Sequence, residues 1–247
     1  MILSVWNLFI DCEMCWWFVF SDAHVIFKAG NFQKGWFSAN DLLNQVEHAI
    51  DVFERKTNGF ATGLFMFDNA LSHQKQAPDA LSAWNMPKWP NEHWTCIKDG
   101  PQMWSGTLVN GVIQEFYYPN SHPMMPNWFK GMEAIIWERG LWPATGLRAK
   151  CKGFKCISGC PDCCCHRLLF CQPNFMAQKS QLEEYITSHG HICNFYPKFH
   201  CELNFIEMYS SAVKYHHHST PQTSDLDAME ANILACLNDV PLLQIKQ

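Results

Sequence analysis

Residues 38–67 constrain the fold more than any other stretch, because a helix and a buried strand follow one another there almost without a gap. Ser38 and Asp41 have capping-box spacing, and Phe37 and Leu42 are placed as a hydrophobic staple around the same helix start. Leu42, Leu43, Val46, Ile50 and Phe53 recur with the helical period, and Asn58-Gly59 ends the run. An apolar segment over 62–67 then reads as a buried strand that stops at Asp68. Upstream, residues 5–10 and 24–27 read as two more strands, the second followed by a turn at Gly30. The order strand, strand, helix, strand predicts an α/β architecture, with the helix crossing over to a parallel neighbour.

Beyond that core the pattern loosens. Residues 85–128 hold prolines at 87, 90, 101, 119, 123 and 126, which predicts a loop-rich insertion with a short hairpin near 106–118. A helix is expected over 130–139, ended by Gly140 and Pro143, and a second over about 175–188, ended by Gly190. Strand 191–196 leads through Pro197 into a helix that carries Glu207. Ser224 caps a last helix with Leu226, Met229, Ile233 and Leu237 on one face. The expected organisation is a core in two parts, 1–84 and 176–247, around a Pro-rich and Cys-rich insertion at 85–175.

Hydrophobic residues are 48% and charged residues 17% of the 247, a globular balance. Asp11 and Glu13 interrupt the apolar first twenty residues, and no basic residue precedes Lys28, so no signal peptide is expected. No uncharged apolar stretch reaches the roughly 18 residues of a membrane span. A soluble, intracellular chain without membrane partners is the expectation. The net charge of −5 argues against a dedicated DNA-binding module, which is usually basic. Charge is uneven, however: residues 130–215 carry 10 basic and 7 acidic side chains, against 7 and 12 in residues 1–129. Arg148, Lys150, Lys152 and Lys155 form the one candidate phosphate-facing segment; the plainer reading is a solvated lysine loop.

Seven of the thirteen cysteines lie within 151–171, three of them consecutive. Adjacent cysteines do not normally bridge each other, so reduced thiols fit better than a disulfide scaffold. Cys151-x4-Cys156, followed by Cys163, Cys164 and Cys165, offers enough thiolates for a tetrahedral zinc, with Cys151, Cys156, Cys163 and Cys165 the expected set. Cys160-x2-Cys163 also has metal-ligand spacing, and buried or idle thiols are the competing account. The His216-His217-His218 run is read as a solvated helix end.

An acid at the carboxyl end of a buried strand can serve metal chemistry, because ligand sites in open α/β sheets lie beyond those strand ends. In-line phosphoryl transfer uses divalent metals held by hard oxygen ligands. Asp68 is so placed, with Asn69 and His73 able to orient water or phosphate beside it; alternatively, Asp68-Asn69 simply begins a turn.

Residues 67–73, Phe-Asp-Asn-Ala-Leu-Ser-His, resemble the second-acid motif of mariner-like DDE transposases. Leu-Asn-Phe-Ile-Glu at 203–207 resembles their third-acid motif. The whole chain looks like a fungal transposase-like group of that superfamily. The likeness extends through 77–83, 140–143, 151–156, 162–165 and 197–207, and spans roughly residues 22–245. It implies an RNase H-like mixed sheet flanked by helices, with Asp68 and Glu207 as catalytic ligands of Mg2+ or Mn2+ and Asn204 beside them. It also implies cleavage and transfer of DNA strands at element ends, self-association, and nuclear localisation.

Departures accompany the likeness. The family's first acid belongs to an Asp-Glu strand that this chain is expected to begin after, and Asp11 is the candidate substitute. Ser210 stands where the family has a tryptophan, and Gln76, Trp84 and His166 stand where arginines are expected. With two of three acids, little or no catalysis is expected, so the chain reads as a degenerate endonuclease. The alternatives are a zinc-stabilised, non-catalytic module that binds nucleic acid or protein, and a chain that does not accumulate folded because of an unpaired sheet edge.

Overall fold

A computed structural model describes the backbone at residues 7–10, 17–18, 38–156, 158–198, 205–221, 223 and 225–239. The chain is α/β and divides into two compact units, one of Met1–Lys75 with Ser180–Gln247 and the other of Gln76–Lys179. Residues 76–84 and 176–179, expected in the two parts of the core, belong to the second unit. The Trp104 N–H donates to the Asp79 carbonyl (2.9 Å) and the Leu81 N–H to Gln178 Oε1 (2.9 Å), which draws them there.

In the first unit, α1 (Ala39–Thr57) starts at a complete capping box: Ser38 Oγ accepts from the Asp41 N–H, and Asp41 Oδ2 accepts from the Ser38 N–H. Asn58, in the left-handed conformation, closes its other end. Leu42, Val46, Ala49, Ile50 and Phe53 form its buried face and pack with Phe65, Phe67, Leu182 and Ile186. Phe65 and Phe67 come from β3 (Gly63–Phe67), whose alternating burial puts every second side chain into that core.

The sheet runs β2 (Trp17–Phe18), β1 (Asn7–Ile10), β3, β6 (Ile192–Phe195). β1 pairs with β3 antiparallel, and the strand at 24–27 that directly precedes α1 in the expected crossover lies outside the described residues. The parallel pair is β3–β6, in register Phe67↔Phe195, and the chain between them carries the whole second unit and α5 (Gln181–Ser188). Phe37 and Ser224 also lie outside the described residues.

The helix expected over 175–188 is two. A four-residue α4 (Pro173–Met176) ends at Ala177, and α5 restarts where Ser180 Oγ accepts from the Glu183 N–H (3.2 Å). The second unit also holds the two-residue strands β4 (Gly106–Thr107) and β5 (Ile113–Gln114), α2 (Met132–Glu138) and α3 (Cys165–Phe170). Ile135, Ile136, Phe116, Phe129 and Leu169 form the centre of its core. Gln114 is buried there but bonded, donating to the Ile135 carbonyl and accepting from Arg139 Nε. The chain's last described elements, α6 (Phe205–Ser219) and α7 (Leu226–Asp239), pack through Tyr209, Val213, Cys236 and Leu237.

Candidate metal centre and the acidic strand end

Residues 148–151 run beside the start of α3, held by hydrogen bonds from the Cys165 N–H to the Arg148 carbonyl and from the His166 N–H to the Ala149 carbonyl, both 3.0 Å. After Cys151 a single 3-10 turn over Lys152–Phe154, with Gly153 at φ 61°, leads the chain to Cys156. The four sulfurs of Cys151, Cys156, Cys163 and Cys164 lie within 4.8 Å of one another. Cys151 Sγ is 3.6 Å from Cys163 Sγ, and Cys156 Sγ is 3.9 Å from Cys164 Sγ. Four sulfurs bound tetrahedrally to one zinc at about 2.3 Å stand roughly 3.8 Å apart, so these separations match the edges of such a site. All four thiols are free, and the cluster could hold a metal ion such as zinc.

The fourth sulfur comes from Cys164, not from Cys165. Cys164 is the extended N-cap of α3 (φ −164°, ψ 164°), and its sulfur accepts from the Arg167 N–H at 3.4 Å. Cys165 is the first helical residue, and its side chain is fully buried in the second unit's core with Leu168 and Leu169. One residue of helix register therefore decides which thiol faces the cluster. Cys160, despite its spacing to Cys163, is not in the set; its thiol donates to Asp162 Oδ1 at 3.2 Å.

Crowding shapes the thiols' acidity. Loss of hydration, then hydrogen bonds with Cys163 and Cys164, push the Cys156 thiol up to about 12. Burial also raises Cys163, and burial, against a smaller opposing pull from Lys88, holds Cys165 up to about 11. At Cys164 burial opposes ionisation, but hydrogen bonds with the backbone of Arg167 and Cys151 and with the Cys156 and Cys151 side chains together lower the thiol. Thiolates this close repel one another, and a bound dication would relieve that repulsion. Arg148, Lys150, Lys152 and Lys155 are all exposed around Cys151 and Cys156, where they would offset the net negative charge of a four-thiolate metal site.

Asp68 directly follows β3. Its Oδ1 accepts from the Ala70 N–H (3.0 Å) and lies 2.6 Å from His73 Nδ1, while the side chain stays 44% exposed. The turn reading is therefore realised, and the carboxylate nonetheless faces solvent. Asn69 does something else: its amide donates to the Tyr196 carbonyl, as the Tyr196 N–H donates to the Phe67 carbonyl (2.8 Å). It clamps the ends of β3 and β6 together. Glu207 falls in the first turn of α6, with its side chain outside the described residues, as are Asp11 and Asn204 altogether. His216, His217 and His218 occupy the last turn of α6.

Sequence reasoning missed His191. It is buried between the rings of Phe53 and Phe65, and its Nδ1 accepts from the Gly63 N–H at 3.3 Å. A lone histidine ahead of a strand carries no signal for such a role. No helix among the described residues is long and apolar enough to cross a membrane. A scan of protein-family models finds no match to the chain, and searches of curated proteins and of solved structures find none either.

Proposed function

We propose that this chain is a degenerate relative of mariner-like DDE transposases, with an RNase H-like core in its first unit and little or no remaining nuclease activity. The placement of Asp68 carries this reading. It lies just past the carboxyl end of a buried strand, whose parallel neighbour β6 leaves the sheet on the same side and precedes the Glu207 helix. That is where an open α/β sheet binds ligands, and the motifs around both acids support the same origin. In the parent chemistry Asp68 and Glu207 hold Mg2+ or Mn2+ for cleavage and transfer of DNA strands in the nucleus. In this sequence two acids match the motif, and His73 already engages Asp68, so the metal clamp is weak.

Two measurements test this. Manganese-soaked crystals should show the Asp68 and Glu207 carboxylates facing one cation position, and carboxylates on opposite faces end the proposal. Plasmid incubated with the chain and Mg2+ or Mn2+ should stay supercoiled. A metal-dependent nick that Asp68→Ala abolishes would replace a degenerate enzyme with a working one.

The four-thiol cluster favours a second reading for the other unit: a zinc-stabilised module that binds nucleic acid without cutting it. Cys151, Cys156, Cys163 and Cys164 would hold the ion, closing the loop of residues 151–164 in a small unit rich in irregular chain. After dialysis against buffer without metal, elemental analysis should find one zinc per chain; a metal-free, equally stable chain rejects it.

A further inference from the structure

The backbone pairing that positions Cys151 and Cys164 also sets Lys150 beside His166 and Arg167, and both cations act electrostatically on the His166 ring. That ring neighbours two others, Trp84 edge to face at 5.8 Å and 72°, and Phe170 at 6.3 Å and nearly parallel at 18°. The Arg167 guanidinium lies over Phe170 at 5.7 Å. Trp84 and Phe170 are 54% and 49% exposed. Large rings left half in water forgo burial that the second unit's core provides for Phe116 and Phe129.

Charge narrows the partner. Residues 76–179 carry ten basic and seven acidic side chains, against eight and sixteen in the rest of the chain. Five of those ten cations lie within 148–167, where Asp162 is the one acid. The partner of such a face is polyanionic, and the half-exposed rings of Trp84 and Phe170 ask for flat apolar groups on it. Among the described residues, the longest helix of this unit, α2, has seven residues, so no helix is built to lie in a major groove.

We propose that Trp84, His166 and Phe170 form a stacking platform for single-stranded nucleic acid, with Arg148, Lys150 and Arg167 meeting its phosphates. Unpaired bases offer their faces to aromatic side chains in any sequence, whereas duplex bases are already stacked on each other. The inference rests on the zinc reading in one respect: metal held by Cys151 and Cys164 fixes the two segments that carry the cations and rings.

The test is fluorescence anisotropy of an end-labelled oligothymidylate of about 12 nucleotides, within the length one single-strand-binding fold covers. The full chain, with its zinc content measured, should bind with an affinity that falls steeply with salt. Trp84→Ala and Phe170→Ala should each weaken binding about tenfold, and both rings are exposed enough to remove without unfolding the unit. Lys150→Gln should weaken it and lower the salt slope by about one. A duplex of equal length should bind at least about tenfold more weakly, and an oligouridylate arm distinguishes RNA from DNA as the strand held. Equal affinity for duplex, or ring variants that bind like wild type, overturns the platform. A zinc-loaded chain that ignores the oligonucleotide refutes the platform alone. A chain that binds it without zinc refutes the metal reading alone.

Discussion

His73 Nδ1 lies 2.6 Å from Asp68 Oδ1, and the same oxygen accepts the Ala70 N–H. One carboxylate oxygen is thus shared by a turn and an imidazole, while the side chain still reaches solvent. Asp68→Ala removes both contacts. The expected cost is about 1 kcal/mol, at the low end for a charged hydrogen bond because the group is half exposed, measured as a shift of the urea midpoint. Loss of secondary structure would instead mean that Asp68 anchors the end of β3.

Cys164 and Cys165 should behave as opposites. Cys164→Ser removes a cluster sulfur, so zinc content should fall well below one per chain and the melting temperature should drop. Cys165→Ala should keep its zinc and lose about 1 kcal/mol of stability from the vacated core volume. The reverse pattern would put the wrong thiol in the cluster.

The cluster also has a pH signature with two signs. In metal-free protein the Cys156 thiol is raised from 9.0 to about 12, so protonation favours the folded state. Its contribution is fully present below the ordinary thiol value and is lost as pH rises from about 9 towards 12. Zinc reverses the dependence, because binding displaces protons and acid drives the metal out. Melting curves of loaded and stripped protein across that range should diverge with rising pH.

Burial lowers His191 below its ordinary 6.5, against a smaller opposing pull from Glu54. A base depressed in the folded state stabilises above its unfolded value and loses that contribution as pH falls through the folded one. The first unit should therefore weaken as pH drops below about 6.5, and His191→Gln should flatten that part of a denaturation series. An unchanged slope would assign the acid sensitivity to another group.

Gly131 has φ 84° and ψ 151°, a region open almost to glycine alone, and an added Cβ would lie 2.6 Å from the Lys88 carbonyl oxygen. Gly131→Ala should cost about 2–4 kcal/mol, combining backbone strain with a clash against main chain. Gly111 has φ 82° with open space around it, so Gly111→Ala should cost about 1 kcal/mol. Equal costs in thermal melts would mean that the chain near Lys88 yields.

The α1 segment shows what was legible without coordinates. Ser38, Asp41, the stripe from Leu42 to Phe53 and the stop at Asn58 act within one or two helical turns, and all stand in the structure as read. β3 and β6 were legible for the same reason, as short apolar runs between turn residues. The sense of β1 against β3 was not, since an isolated strand carries no mark of its partner's direction.

In the chemistry, the division falls between residue type and residue register. The sequence alone established that cysteines crowd 151–171, that cations flank them, and that Asp68 closes a buried strand. Only the tertiary structure chose Cys164 over Cys165, gathered Trp84 to His166 across the second unit, and aligned the ends of β3 and β6. Composition and period report on neighbours within a few residues. Which sulfur, ring or strand end meets another depends on packing between segments far apart in the chain.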